Sequence, residues 1–361
     1  MDSRHGGRLF GPKGNGIILY MKNESEQTID FVIPWVDGSD SAWRAEHDRW
    51  AAKEQSDSYL AKWNEGEQRY RDWGLLKYWF RGVEMFAPWV NKIHFITWGH
   101  LPSWLEISHP KLHVVRHEDF IPRKWLPTFS SRCIDLNLHR IPGLSEKFVY
   151  FNDDMFLTAP TKATDFFRKG LPCDAAIISP IYLKQNGVRA EINAMYVINA
   201  HFRKWDVISS HPLKWFSPCY GMALVRTLTQ FPFRLFTGFY IHHLPTSFLK
   251  SSFDDVWAEE PDLLGRSCGH RFRNDMDVNQ WIIQFWQYAT GKFFPRSPKF
   301  GIMYEGGAEL SVAASDITTG RHHVVCWNDA PDIKDFEGYK KQIGDSFGRI
   351  LSQRSSFERL G

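Results

Sequence analysis

Three oxygen-bearing side chains stand in a row at Asn152-Asp153-Asp154, between the apolar runs Phe148-Val-Tyr-Phe151 and Met155-Phe-Leu157. Adjacent carboxylates repel unless something positive sits between them. A hard divalent cation meets that need, because Mg²⁺ takes carboxylate oxygens and keeps room for the phosphate oxygens of a substrate. The plainer alternative is a solvated acidic turn after a strand. The same grammar returns near the end, where Val324-Val-Cys-Trp327 runs into Asn328-Asp329. Two such tips converging would make an oxygen-lined metal site from Asp153, Asp154, Asn328 and Asp329. Other residues could serve chemistry as well. His242-His243 is either a strand end with one ring packed and one wet, or a source of a base or ligand. Arg271 and Arg273 face the same way in an extended segment, as a phosphate clamp or a solvated edge. Arg132, Asp135 and His139 share one face of a short helix between Pro127 and Pro142, with Ile134 and Leu138 as its buried face.

These residues need elements to hold them. Ile29-Asp-Phe-Val-Ile-Pro-Trp-Val36, Lys92 to Trp98, Leu112 to Val115 and Lys147 to Phe151 read as strands, and Pro34 marks an edge or a break. Leu75, Leu76, Trp79, Phe80, Val83 and Phe86 form the apolar stripe of a helix, whose polar face carries Lys77, Arg81 and Glu84. Arg81 there could pair with an acid or reach a phosphate. Strands alternating with helices over 29–157 predict an α/β fold with a largely parallel sheet. Ligands of such sheets gather at the carboxyl ends of the strands, where Asp37, Gly99 and Asp153 would lie. Asp37 and Asp40 are then either helix caps or a loop that holds a base or ribose. Further on, Ala175–Ile178 and Tyr196–Ile198 read as strands, and 246–260 as a polar helix. Val278 to Trp286 is a strong helix. Asp275-Met-Asp277-Val-Asn279 opens like a calcium loop, but Gln280 stands where that loop needs glycine, so its acids read as helix caps.

The chain has 361 residues, 43% hydrophobic and 16% aromatic, with 16 Trp, enough for a large core and for flat rings along a groove. A net charge of +3 argues against a dominant nucleic-acid or membrane-surface role. Five scattered cysteines without a C-x-x-C pair fit reduced thiols in a cytoplasmic protein. No stretch reaches the ~18 apolar residues of a membrane helix. Residues 1–28 read as a flexible leader. Their Gly11, Gly14 and Gly16 have no preceding strand and no following Lys-Ser or Lys-Thr, which excludes a phosphate loop.

Four stretches, in order, resemble one family. They are Ile29 to Asp40; Arg69-Tyr-Arg-Asp72 through Ala87-Pro-Trp89, Pro102-Ser-Trp104, Leu126-Pro-Thr-Phe129 and His139 to Glu146 to Asn152-Asp-Asp154; His243-Leu-Pro245 to about Gly291; and Cys326-Trp-Asn-Asp329 to Ser356-Phe-Glu358. The chain is similar over 29–358 to the Stealth proteins. These include bacterial capsular-polysaccharide sugar-phosphate transferases and the catalytic subunit of the animal enzyme that marks lysosomal hydrolases with N-acetylglucosamine 1-phosphate.

The resemblance implies a glycosyltransferase-A-like α/β fold with helical elaborations. It implies one catalytic domain over 29–358, with a nucleotide-sugar half at 29–160, an acceptor half at 161–330 and a helical end at 331–358. It also implies Mg²⁺ or Mn²⁺, a nucleotide-sugar donor such as a UDP-N-acetylhexosamine, and a glycan acceptor. An acceptor hydroxyl would attack the sugar-proximal phosphorus, leaving a phosphodiester and a nucleoside monophosphate. Carried over residue by residue, the resemblance makes His243, Arg273, Asp135 and Asp154 catalytic. Asp135 stands where the family usually has Glu, and Asp37 where it often has Asn. Asp37, Gly38, Asp40, Arg71 and Lys77 fall on the nucleotide side, and Asp153, Asp154, Asn328 and Asp329 on the metal. The expected location is cytoplasmic, with the inner membrane surface as a peripheral station. The rival readings are a glycosyltransferase attacking the anomeric carbon, a saccharide-binding component without catalysis, and a metal-dependent phosphodiesterase.

Overall fold

The computed structural model describes residues 28–54, 71–183, 188–306, 309–330 and 333–359. The expected leader, apart from Thr28, lies outside the described residues, as do Arg69 and Tyr70. Eleven strands are present among the described residues: β1 (Ile29–Pro34), β2 (Ile93–Thr97), β3 (Leu112–Arg116), β4 (Lys147–Tyr150), β5 (Met155–Leu157), β6 (Phe167–Arg168), β7 (Leu171–Asp174), β8 (Thr246–Leu249), β9 (Phe294–Pro295), β10 (Gly301–Glu305) and β11 (Val324–Asn328).

Apolar β-branched and aromatic runs make β1, β2 and β4, and such runs suit strands covered on both faces. They form the middle of a five-stranded sheet of order β3-β2-β1-β4-β8. The pairs β1–β2, β1–β4 and β2–β3 are parallel, and β8 joins β4 antiparallel. The expected largely parallel α/β sheet is therefore present. Pro34 does not put β1 at an edge; it closes a central strand at its last residue, where its missing N–H matters least.

Successive side chains point to opposite faces, and each face has its own core. Val32, Ile96, Phe148 and Tyr150 pack on one side with the helices Ser131–Leu136, Val188–His201, Lys250–Glu259, Pro261–Gly269 and Trp281–Ala289. Phe31, Ile33, Phe95, Val149 and Phe151 pack on the other with the helices Leu76–Phe86 and Phe336–Ile350. Trp79, Trp215 and Trp327 are fully buried, so much of the aromatic excess is core.

A second sheet, β10-β11-β5, leans on that same core. Its β11 runs antiparallel to β5, with Cys326 opposite Met155. A third, β6-β7-β9, is short.

Three local expectations are corrected. Tyr196–Ile198 lies inside the helix Val188–His201, because Ala190, Ala194 and Ile198 recur at helical spacing on its buried face. Ala175–Ile178 follows β7 without joining a sheet beyond one bridge from Ile178 to Phe239; its side chains still alternate between two apolar clusters. The stretch 246–260 is split. Thr246–Leu249 pairs with β4, and the helix starts only at Lys250. Among the described residues no helix is long and apolar enough to cross a membrane.

Candidate active site at the strand tips

The chain leaves β1 towards β2 and β3, then returns to β4 on the other side of β1. That reversal opens a crevice beyond the carboxyl ends of β1 and β4, the usual ligand position in such sheets. Asp37 follows β1 there, and Asn152-Asp153-Asp154 follows β4.

The two Asn-Asp tips meet. The backbone N–H of Trp327 donates to the carbonyl of Asp154 at 2.8 Å, extending the β5–β11 register past Met155. His243 completes the cluster, its Nε2 3.4 Å from Oδ2 of Asp154. One ligand atom each from Asp154, His243 and Cys326 lies within 4.8 Å of the others. The backbone of His243 is left-handed, at φ +44. Non-glycine residues rarely adopt this, and such strain persists where the surroundings over-determine it.

The electrostatics are those of a crowded acid site. Burial lowers the His243 imidazole, but the charge and hydrogen bond of Asp154 outweigh it and hold the ring above its ordinary value. Asp153 is exposed at its tip, yet the protein crowded around it and the neighbouring Asp154 carboxylate hold it above its ordinary value, with Asp72 adding to the repulsion. Burial, with the same carboxylate alongside, also pushes the Cys326 thiol well up.

Asp135 and Arg273 form a second group, linked to the acids through Tyr150, whose hydroxyl feels the charges of Asp135, Asp153 and Asp154. The Tyr150 hydroxyl, at the last residue of β4, donates to Oδ1 of Asp135 at 2.7 Å. Burial raises the Asp135 carboxyl to about 7 against the pull of Tyr150, Arg273 and Arg132. Arg273 donates to Ser131 Oγ at 2.7 Å, on the helix that carries Asp135. The expected single helix breaks at Asn137, so Arg132 and Asp135 lie on Ser131–Leu136 and His139 on the following 3-10 turn Leu138–Arg140; all three are buried, not solvated, while Ile134 is only partly covered. Their polarity serves internal partners. Arg132 reaches the Asp277 carboxylate at 3.3 Å, which also receives His270 Nδ1 at 2.6 Å. Asp277 is thus an internal counter-charge and not the helix cap its position suggested. Arg271 does not join Arg273; it pairs with Glu54 at 2.7 Å and covers the Trp50 ring.

The residues expected on the nucleotide side do not form one group. Asp37 Oδ1 accepts from the N–H and hydroxyl of Ser39, and its own N–H donates to His100 Nε2 at 2.7 Å. Asp40 caps the helix Ser41–Ala51 through the N–H of Trp43. The Gly38 carbonyl accepts from Arg44. Arg71 forks onto Asp329, Nε to Oδ2 at 3.0 Å and a terminal N–H to Oδ1 at 2.8 Å, so the structure joins a nucleotide-side candidate to a metal-side one. Lys77 lies over the Tyr78 ring, and Arg81 takes the first of its two alternatives by pairing with Glu358.

The acids suit a hard divalent cation on one observation: Oδ1 of Asp154 is buried and without a hydrogen-bond partner, an expensive state for a carboxylate oxygen. The sequence reading missed four residues here. Tyr150 and Cys326 lie inside apolar strands, Ser131 opens a short helix, and Asp72 precedes one. Tyr150, Cys326 and Ser131 share one signal, a polar atom within a few residues of a strand tip or of Asp135; Asp72 carries none.

Two family models match the chain: Stealth protein conserved region 1 over residues 27–55 and Stealth protein conserved region 2 over residues 69–173. The chain is 39% identical over 340 residues to the capsular polysaccharide phosphotransferase WcwK of Streptococcus pneumoniae, covering 94% of this chain and 100% of that protein. It is 39% identical over 342 residues to the receptor polysaccharide phosphotransferase WefC of Streptococcus gordonii, covering 92% and 99%. A solved structure of the galactosyltransferase LgtC, with donor and acceptor sugar analogs, superposes at a TM-score of 0.38 and 10% identity, covering 88% of this chain and 95% of that one; so loose a likeness carries no weight here. With matched blocks at both strand tips and near-complete alignment to these relatives, the chain belongs to the Stealth family.

Proposed function

We propose that the protein transfers a sugar 1-phosphate from a nucleotide-sugar to a hydroxyl of an acceptor glycan, in the assembly of a capsular or extracellular polysaccharide. The observation that carries this reading is the His243–Asp154 contact at the strand-tip crevice, with Asp135 and Arg273 alongside. The relatives' names, as polysaccharide phosphotransferases, support the same reaction. A UDP-N-acetylhexosamine is the first donor to test. Five free cysteines fit work in a reducing cytoplasm, at the inner membrane face.

Phosphoryl transfer asks a protein mainly for positioning and charge stabilisation. His243 takes the proton of the acceptor hydroxyl on Nδ1, the ring nitrogen that does not face Asp154, a role worth about 10²–10⁴ in rate. The freed oxygen forms a bond to the sugar-proximal phosphorus. The bond from that phosphorus to the bridging oxygen breaks, and the nucleoside monophosphate leaves with the electron pair. Asp154 holds the imidazolium through Oδ2. Arg273 steadies charge on the transferred phosphoryl group, where comparable arginines contribute about 10³–10⁵. Asp135, through Tyr150, fixes the end of β4 and so the acids beyond it. Asp154, with Asp153 and Asn328, would hold Mg²⁺ or Mn²⁺, and the bound cation would neutralise charge on the diphosphate. Asp329 would act from behind, through Arg71. Asp37, Gly38 and Asp40 would face the nucleoside, with Lys77 further along that side.

The test uses purified protein, a panel of nucleotide-sugars, a glycan acceptor, and Mg²⁺ with or without EDTA. Monophosphate release that EDTA abolishes, with a phosphodiester resonance in the product by phosphorus NMR, is the expected result. Release of a nucleoside diphosphate, with no phosphorus in the product, would make this an ordinary glycosyltransferase.

A further inference from the structure

The segment from Trp205 to Tyr240 leaves a large apolar surface bare. Scattered exposed apolar residues are ordinary, but contiguous ones mark an interaction. Met222, Val225 and Leu228 follow one another at three-residue spacing into and along the helix Leu224–Thr229, and are 84%, 48% and 50% exposed. The next five residues but two, Phe231-Pro-Phe-Arg-Leu235, are all exposed. This loop is built to stand out. The Lys204 ammonium beneath it donates to the carbonyls of Gln230 at 2.6 Å and Phe233 at 2.7 Å, and Phe231 packs on Trp205 with ring centroids 4.4 Å apart.

The charge pattern names the occupant. No Asp or Glu occurs from Val207 to Phe253, while Arg226 and Arg234 are exposed among the apolar residues. The acid bordering the segment is Asp206, on the same helix as Trp205. Aromatic and aliphatic side chains with interleaved arginines and no acids match the headgroup layer of an anionic bilayer. A second copy fits worse, because a two-fold contact through this face would set its arginines against each other.

We propose that this face docks on an anionic membrane surface, with Phe231 and Phe233 entering the headgroup layer and Arg226 and Arg234 meeting lipid phosphates. The proposal stands independently of the reaction. It does lead to the candidate base. The Arg226 guanidinium covers the Tyr240 ring at 4.8 Å, Tyr240 meets the His242 ring at 4.5 Å, and His243 follows. The docked face and the strand-tip crevice are thus joined by three side chains, and an acceptor end lying at the bilayer surface has a short path to His243.

Flotation of the full chain with vesicles tests this, using phosphatidylcholine alone and phosphatidylcholine with about one third phosphatidylglycerol. The wild type should float with the anionic vesicles and be released by salt. Phe231→Ser with Phe233→Ser, and separately Arg226→Glu with Arg234→Glu, should each cut vesicle binding at least about tenfold. Phe231 touches Trp205 and Arg226 covers Tyr240, so the single variants Phe233→Ser and Arg234→Glu, at exposed residues, should weaken vesicle binding while leaving thermal unfolding in place. Wild type that stays unbound on both vesicles overturns the proposal, and so do variants that bind as well as wild type. Sedimentation showing a dimer that these variants break would also overturn it, because the face would then be a contact between protein chains.

Discussion

The imidazole of His243 meets the carboxylate of Asp154 at 3.4 Å only because its backbone takes a left-handed turn, φ +44, just before β8. Asparagine tolerates that backbone better than most residues, so His243→Asn removes the base and spares the turn. We expect kcat for transfer to fall about 10²–10⁴-fold. Donor binding should change only a few-fold, measured by titration calorimetry. Full transfer activity in His243→Asn would rule this imidazole out as the base.

Asp135 should leave a signature in stability against pH. Its folded pKa, about 7, lies above the ordinary 3.8. The native state therefore keeps a proton that the unfolded chain gives up, and stability contributed by that proton is lost as pH rises from about 4 to about 7. Asp135→Asn cannot titrate and still offers Tyr150 an acceptor. The variant should gain on wild type across that window, by on the order of 3–4 kcal/mol at most. Urea unfolding at either end of the window measures it. An equal difference between the two proteins at both pH values would mean that Asp135 is ionised throughout.

The Arg71–Asp329 fork should behave as a partly buried, geometrically specific pair. Side-chain exposures of 20% and 13% place it between surface pairs and fully buried ones. Removing either partner should cost about 2 kcal/mol, and Arg71→Lys should recover little because lysine cannot make the two parallel bonds. A double-mutant cycle by thermal unfolding should show coupling of about 1–2 kcal/mol. Zero coupling would mean that the two side chains act separately.

The cysteines should differ in reactivity. Cys219 is exposed, while Cys133, Cys173, Cys268 and Cys326 are buried. Thiolates, not thiols, react, and burial holds Cys326 in its protonated form. Iodoacetamide on the native protein near neutral pH should label Cys219 alone by peptide mass spectrometry, with the others following only in urea. Labelling of native Cys326 would show that the site opens far more than its packing implies.

Much of this was legible in the sequence. The strands at 29–34, 93–97 and 147–150 announce themselves by unbroken apolar runs, and Asp37 and Asp153 follow from where two of them end. The pairing of the two Asn-Asp tips was readable as a repeated pattern. What escaped was anything decided by burial on a polar face. Arg132, Asp135 and His139 look like a solvated stripe, yet they turn inward: Tyr150, Asn274 and Asp277 supply partners to Asp135 and Arg132 from distant segments, and the His139 ring stacks on Phe253. Asp277 misled for the same reason: a carboxylate beside a helix start reads as a cap unless the arginine across from it is known. Tyr196–Ile198 failed differently, since three apolar residues carry no period.

The main-chain bond from Trp327 to Asp154 has a bearing on biosynthesis. A nascent polypeptide that has left the ribosome as far as the helix Trp281–Ala289 already owns its histidine, its arginine and its first pair of acids, but their mooring strand is still untranslated. Truncated products should therefore be unable to consume activated sugars, and catalytic competence arrives late, with β11.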